Sequence, residues 1–203
     1  MRIALITAAL AASTALAAPA FAQDSAPFTG PRAEGVVGWD RIDDGANSGT
    51  EASDGVVYGG AIGYDFQAGG AVIGVEGEIT GSSNKQRARG IIAPNDELSV
   101  GAGRDLYLGA RVGFLAGPNA LIYAKGGYTN ARLESRYTNG NTTTTVGENA
   151  DGWRLGAGVE YQLSNNMYLK GEYRYSNYSR LDNSDIDIDI DRHQVVGGVG
   201  IRF

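Results

Sequence analysis

Three observations predict an all-β chain, an eight-stranded antiparallel up-and-down transmembrane β-barrel. Apolar and polar residues alternate over eight separate segments and nowhere recur at the three- and four-residue spacing of a helix. Short turn-rich connections alternate with long polar ones along the chain. The polar face of the segments alternates Gly with charge, which suits the lumen of a narrow barrel and weakens the exterior of a soluble sheet.

The elements follow in order. Residues 1–22 are expected to be a signal peptide: Arg2 is a short positive start, Ile3 to Leu16 an apolar run, and Ala20-Phe21-Ala22 a small-x-small cleavage site. Pro19 and the lack of a following positive cluster argue against a membrane anchor. Residues 23–31 read as a short N-terminal leader segment and 32–203 as the barrel domain. The eight segments are Arg32–Ile42, Gly55–Gln67, Ala71–Ser82, Arg104–Ala116, Ala120–Leu133, Gly152–Leu163, Met167–Tyr178 and Arg192–Phe203. Ala68-Gly69-Gly70, Gly117-Pro118-Asn119 and Ser164-Asn165-Asn166 are the tight turns. The stretches 43–54, 83–103, 134–151 and 179–191 are expected to be long loops at the opposite rim.

The side that carries the apolar set separates a soluble barrel from a membrane one. In the fourth segment Leu106, Leu108, Ala110, Val112 and Phe114 share one face, and Asp105, Tyr107, Gly109, Arg111 and Gly113 the other. In the sixth, Leu155, Ala157, Val159 and Tyr161 oppose Arg154, Gly156, Gly158 and Glu160. Each segment spans the ~9–11 tilted residues that a lipid-facing wall needs. An open edge in lipid would leave backbone groups unpaired, so the sheet must close.

Composition narrows the function classes. With 31 Gly and no three-residue repeat the chain is not collagen-like. The absence of Cys removes disulfides, thiolate zinc sites and cysteine nucleophiles. The sole histidine, His193, leaves no multi-histidine metal centre and no Ser-His-Asp set, so neither a catalytic residue, a metal site nor a cofactor is implied and the chain reads as a non-enzyme. A net charge of −6 argues against nucleic acid as a partner.

The polar faces carry the acids Glu34, Asp40, Asp65, Glu76, Glu78, Asp105, Glu160 and Glu172 and the bases Arg111, Lys125, Arg154, Lys170, Arg174, Arg192 and Arg202. Charges in so narrow a space must pair or meet water. An ion-pair network is therefore expected across the lumen, centred on Glu76, Glu78, Arg111, Lys125, Glu172 and Arg174 and drawing in Asp105, Arg154, Glu160 and Lys170. With about eight strands, side chains fill the interior, so a wide diffusion pore is not expected. Trp39, Tyr64, Trp153, Tyr161, Tyr173 and Tyr175 read as interfacial girdle residues.

Several stretches carry a resemblance: the run Arg104 to Gly113, Tyr123-Ala124-Lys125-Gly126-Gly127-Tyr128, Gly156 to Tyr161, Lys170 to Tyr175, and the ending His193 to Phe203. Together they resemble the eight-stranded outer-membrane barrels of the opacity-protein and OmpA-like superfamily, and the alphaproteobacterial "porin family" proteins in particular. The resemblance implies location in the cell outer membrane, short periplasmic turns and variable surface loops. It also implies that Phe203 is the terminal signal read by the barrel-assembly machinery. Outer-membrane lipid and lipopolysaccharide are the expected surroundings, and the loops would meet a host or surface ligand. No peptidoglycan-binding domain of the OmpA type is expected after Phe203.

Within the expected loops, Lys85, Arg87 and Arg89 form a basic stretch that either contacts lipopolysaccharide phosphates or is merely solvated. The alternating run Asp185 to Asp191 reads better as a strand continuing above the membrane than as a calcium site. Its same-face carboxylates would lie ~6.6–7 Å apart. The expected role is structural and surface-interacting. The alternatives are a small gated pore for narrow solutes and a soluble periplasmic ligand-binding barrel.

Overall fold

A computed structural model describes residues 26–44, 53–83, 85–89, 97–139, 142–181 and 190–203. Among them lie nine strands: β1 (Gly30–Asp44), β2 (Ser53–Ala68), β3 (Ala71–Ser82), β4 (Lys85–Arg89), β5 (Glu97–Leu115), β6 (Ala120–Asn139), β7 (Thr142–Gln162), β8 (Met167–Leu181) and β9 (Ile190–Arg202). All but β4 form a closed ring. Neighbours pair antiparallel in the order β3-β2-β1-β9-β8-β7-β6-β5, and β3 pairs with β5 to seal it. The chain thus runs up and down around an eight-stranded barrel, as its alternation predicts.

The tight connections lie where Gly and small polar residues interrupt the pattern. Gly69 sits at φ 61°, a left-handed conformation that costs glycine little, and this lets Ala68 pair directly with Ala71. Both chain ends meet at the same rim: the Phe203 backbone N–H donates to the Pro31 carbonyl at 2.9 Å, closing β9 on β1.

The apolar side chains face outward. Ile62, Leu108 and Phe114 are 69%, 68% and 66% exposed, while Arg154, Arg174 and Glu160 are fully buried. Val159 and Ile201 lie outside with them, and Glu76 and Arg111 are buried. This inverts the order of a water-soluble barrel.

Inside, glycine makes room for tyrosine. A Cβ on Gly109 would lie 2.1 Å from the Tyr107 hydroxyl, one on Gly200 2.2 Å from the Tyr168 ring, and one on Gly158 2.8 Å from the Tyr123 hydroxyl. The Gly-charge alternation of the sequence is therefore a packing code: bare backbone on one strand receives a large side chain at the next layer.

Two apolar clusters of buried residues occur among the described residues. Phe28, Val72 and Leu121, with Leu115 against them, form one at the turn end. Ala131, Ala150 and Tyr178 form the other at the loop end. The charged residues fill the space between.

The structure departs from the sequence reading at its margins. β1 starts at Gly30, within the expected leader, and Phe28 of that leader is completely buried. β5 begins at Glu97, β6 runs on to Asn139 and β7 starts at Thr142, so much of the stretches expected to be loops is paired sheet. The basic stretch Lys85–Arg89 is itself a strand, β4, in register with Glu97 to Gly101 of β5. These parts are rich in Thr, Val and Tyr, which favour extended backbone, although Gly, Asn, Pro and charged residues nearby mark them as loops in sequence. Register shifts between Ala102 and Asp105 and between Asp151 and Gly152 mark where the extensions leave the barrel wall. The expected signal peptide and most of the run Asp185 to Asp191 lie outside the described residues; only Ile190 and Asp191 are seen, opening β9.

Candidate functional site

The lumen is the site. Among the described residues sixteen charged side chains are buried there, eight acids and eight bases. Every one has an ion-pair partner, and the pairs join into a single network running the length of the barrel.

At the turn end Arg202 reaches Asp65 at 2.9 Å and Glu160 at 2.7 Å. Arg111 meets the same two acids, its Nε 2.8 Å from Asp65 and its Nη1 3.1 Å from Glu160. Arg32 carries the network upward: it lies 3.1 Å from Asp65 and 3.2 Å from Glu34, and pairs with Glu76. Lys170 pairs with Glu34, whose other oxygen accepts from the Tyr168 hydroxyl at 2.8 Å.

At mid-barrel Lys125 pairs with Glu76 and lies 2.8 Å from Glu172 and 3.8 Å from Glu78. Its ammonium stands 4.8 Å from the Tyr107 ring centroid, and the Arg154 guanidinium lies 5.3 Å from the same ring. Arg174 grips Glu78 with two parallel bonds of 2.6 and 2.7 Å and also pairs with Glu172. Such a two-bond grip fixes orientation as well as charge.

Toward the loop end Arg154 bridges Glu78 at 3.2 Å and Asp105 at 2.5 Å, and its Nε donates to Ser176 at 2.8 Å. Asp105 further accepts from Thr129 at 2.6 Å and Tyr178 at 2.8 Å. Arg192 holds Asp40 with bonds of 2.7 and 2.8 Å and touches Asp105 at 2.9 Å. Asp40 is completed by the Ser82 hydroxyl at 2.6 Å.

The residues expected from sequence divide as follows. Glu76, Glu78, Lys125, Glu172 and Arg174 share the middle of the barrel. Asp105, Arg154, Glu160 and Lys170 join them from the layers above and below. Arg111 does not meet Glu76: it goes to Asp65 and Glu160 in the lowest layer. Sequence reasoning left out Arg32, although its place at the start of an alternating segment marks it as inward-facing. It also left out the lumen tyrosines as hydrogen-bond donors.

On the outer wall Trp39, Trp153 and Tyr173 stand exposed toward the loop end, and Tyr64 and Tyr161 toward the turn end. Tyr175 packs on Trp153 with ring centroids 5.3 Å apart. Just above, a small arrangement occurs twice. Tyr175 and Asn177 donate to Asp191 on the next strand at 2.6 and 3.0 Å. Tyr128 and Asn130 likewise both donate to Asp151. His193 sits in this rim with its Nδ1 2.7 Å from the Tyr173 hydroxyl, 5.2 Å ring to ring from Tyr175. Among the described residues no cluster of His, Asp and Glu has the placement of a metal site.

A closed barrel with an apolar outer wall, a charged interior and short turns at one end is the architecture of an outer-membrane β-barrel protein, because only closure satisfies every backbone group in lipid. The chain belongs to the outer membrane protein β-barrel domain family, whose model matches residues 8–203. It is 29% identical over 164 residues to the 31 kDa outer-membrane immunogenic protein of Brucella melitensis, covering 73% of this chain and 67% of that one. It is 28% identical over 157 residues to the 22 kDa outer membrane protein of Rhizobium leguminosarum bv. viciae, covering 72% and 66%. Among solved structures, Neisserial surface protein A superposes with a TM-score of 0.56 over 86% of this chain and 98% of that one, at 13% identity, a likeness of fold. The protein is thus located in the outer membrane, and the soluble-carrier alternative falls. Barrels of this type keep their short turns in the periplasm, which puts Gly30, Phe203 and the turn-end cluster on the periplasmic side.

Proposed function

We propose that this is a non-enzymatic envelope barrel whose lumen is plugged by its ion-pair network and whose function lies in stabilising the outer membrane and presenting a surface outside the cell. The observation that carries the reading is the continuous pairing from Arg202 to Asp40 with equal numbers of buried acids and bases. A solute path would have to part several buried pairs in succession, each costing about 3–5 kcal/mol to break one-sidedly. The paired sheet of β4 to β7 beyond the lipid band supplies a firm surface for a partner. Lipopolysaccharide is the adjacent partner on the outer leaflet, and Phe203 is the residue offered to the assembly machinery. Trp39, Tyr64, Trp153, Tyr161, Tyr173 and Tyr175 are the interfacial anchors.

Planar-bilayer recording on the refolded protein tests the plug. Wild type should hold the current near baseline. Lys125→Met, which leaves Glu76 and Glu172 short of a cation at mid-barrel, should produce discrete openings. A large, steady wild-type conductance would refute a plugged lumen.

A further inference from the structure

The turn end of the lumen carries a buried apolar cluster beside its charges. Residues 26–29 precede the first strand, yet the chain does not trail away there. Gly30 takes φ 133°, and a Cβ at that position would lie 2.3 Å from the Phe203 carbonyl oxygen. The chain therefore bends sharply against the end of β9, a bend that a side chain would obstruct. Residues 26–29, just before the bend, are tied to Gln67 of β2 by two hydrogen bonds and folded by a third within the segment. The Phe28 N–H donates to the Gln67 side-chain oxygen at 3.1 Å, and the Gln67 N–H donates to the Thr29 hydroxyl at 2.9 Å. The Thr29 N–H donates to the Ala26 carbonyl at 3.0 Å.

This bend drives the Phe28 ring into the lumen. It has no exposed surface, it packs on Val72 of β3 and Leu121 of β6, and it covers the Arg202 guanidinium at 5.2 Å. Arg202 belongs to the lowest ion-pair layer, with Asp65 and Glu160. The ring thus stands between that layer and periplasmic water.

We propose that residues 26–29 form a periplasmic stopper, with Phe28 as its plug, that shuts the charged lumen off from the periplasm. The stopper is a separate device from the ion-pair plug. Charged pairs in contact with water are weakened by its high dielectric, whereas the same pairs beneath an apolar layer keep their full attraction. Among the described residues the stopper is also the part of the lumen filling that no barrel strand contributes, since it precedes β1. It is held by few bonds, so its opening is a local event that need not disturb the ring.

The chain contains no Cys, so a single introduced thiol reports on its own site. Val72→Cys and, separately, Leu121→Cys are refolded and checked for the folded-barrel gel mobility. They are then exposed to a membrane-impermeant maleimide, with Ser164→Cys in an exposed turn as the reference. With Phe28 in place, both thiols should react far more slowly than the reference. Adding Phe28→Ala should speed both by about ten- to a hundredfold, the factor that burial of a phenylalanine side chain sets. Phe28→Leu should restore most of the protection. Equal rates with and without the ring, whether both fast or both slow, would overturn the stopper. The conductance of the Phe28→Ala protein reports separately on the ion-pair plug: a mouth that opens while current stays at baseline leaves both readings standing.

Discussion

At the residue scale, the weight of each buried charge depends on how many partners remain when one is removed. Asp40 has Arg192 as its ion-pair partner, helped by the Ser82 hydroxyl, whereas Asp65 is shared by Arg32, Arg111 and Arg202. Arg192→Met should therefore destabilise the folded barrel by about 3–5 kcal/mol, and Arg111→Met by clearly less, because Asp65 and Glu160 keep other cations. Adding Asp40→Asn to Arg192→Met should recover part of the loss, since the stranded carboxylate is then neutral. Urea unfolding in lipid vesicles gives the order; equal losses at the two arginines would show that pair redundancy does not govern lumen stability. Glycine supplies the complementary test. Gly200→Ala places a methyl against the Tyr168 ring and should cost about 1–3 kcal/mol by overpacking. Combined with Tyr168→Ser the loss should fall below the sum of the two single changes, as expected for side chains that share one space.

At the scale of elements, the sequence was legible where the two faces of a strand see different solvents. Leu106 to Phe114 and Leu155 to Tyr161 alternate because one face meets lipid and the other the lumen, and the staves lie where that alternation runs. β4 and the outer parts of β5, β6 and β7 read as loops because turn formers and charged residues, such as Gly90, Pro94, Asn95, Asn139, Gly140 and Asn141, crowd the stretches around them. Which side chains are inward was also legible, but their partners were not. Arg111 meets Asp65 and Glu160 rather than Glu76 because contacts across the lumen depend on barrel tilt and stagger, which no local pattern encodes. Phe28 escaped because it precedes the periodic region and acts through a bend. Two predictions belong at this scale. Both tryptophans, Trp39 and Trp153, stand on the outer wall toward the loop end. Their fluorescence should thus be quenched more by lipids brominated near the headgroup than by lipids brominated near the chain terminus. Stronger quenching from the chain end would place the girdle wrongly. Beyond the Leu133–Glu148 pair the β6–β7 ribbon pairs only with itself and with the outer part of β5, past the β3–β5 pairing that seals the ring. Replacing residues 135–146 with a short Asn-Gly turn should leave the folded gel mobility intact; loss of the folded band would mean that the ribbon helps close the barrel.

At the scale of the whole molecule, charge is sorted by compartment. Among the described residues the buried lumen charges balance, so they contribute nothing to the net −6 of the sequence. The described turns at 69–70, 116–119 and 163–166 carry no charged residue, which leaves the acid excess in sequence among the connections at the opposite end and in the strand ends that lead to them. When the barrel enters a vesicle from outside, turns or loops must cross the bilayer. The uncharged turns are the end that crosses at least cost, which fits insertion with that end leading. The acidic end then stays on the side of addition and faces the headgroups there. In vesicles with anionic headgroups it should be repelled, and the repulsion should weaken as the screening length falls from about 30 Å at 0.01 M salt to about 10 Å at 0.1 M. Folding into anionic vesicles should therefore be slower at low salt than folding into zwitterionic ones, and should recover on addition of salt or magnesium. The zwitterionic rate should change little. Folding kinetics followed by the loss of the unfolded gel band measure both arms. A salt-independent rate in anionic vesicles would mean that the loop-end charges lie too far from the membrane surface to feel it.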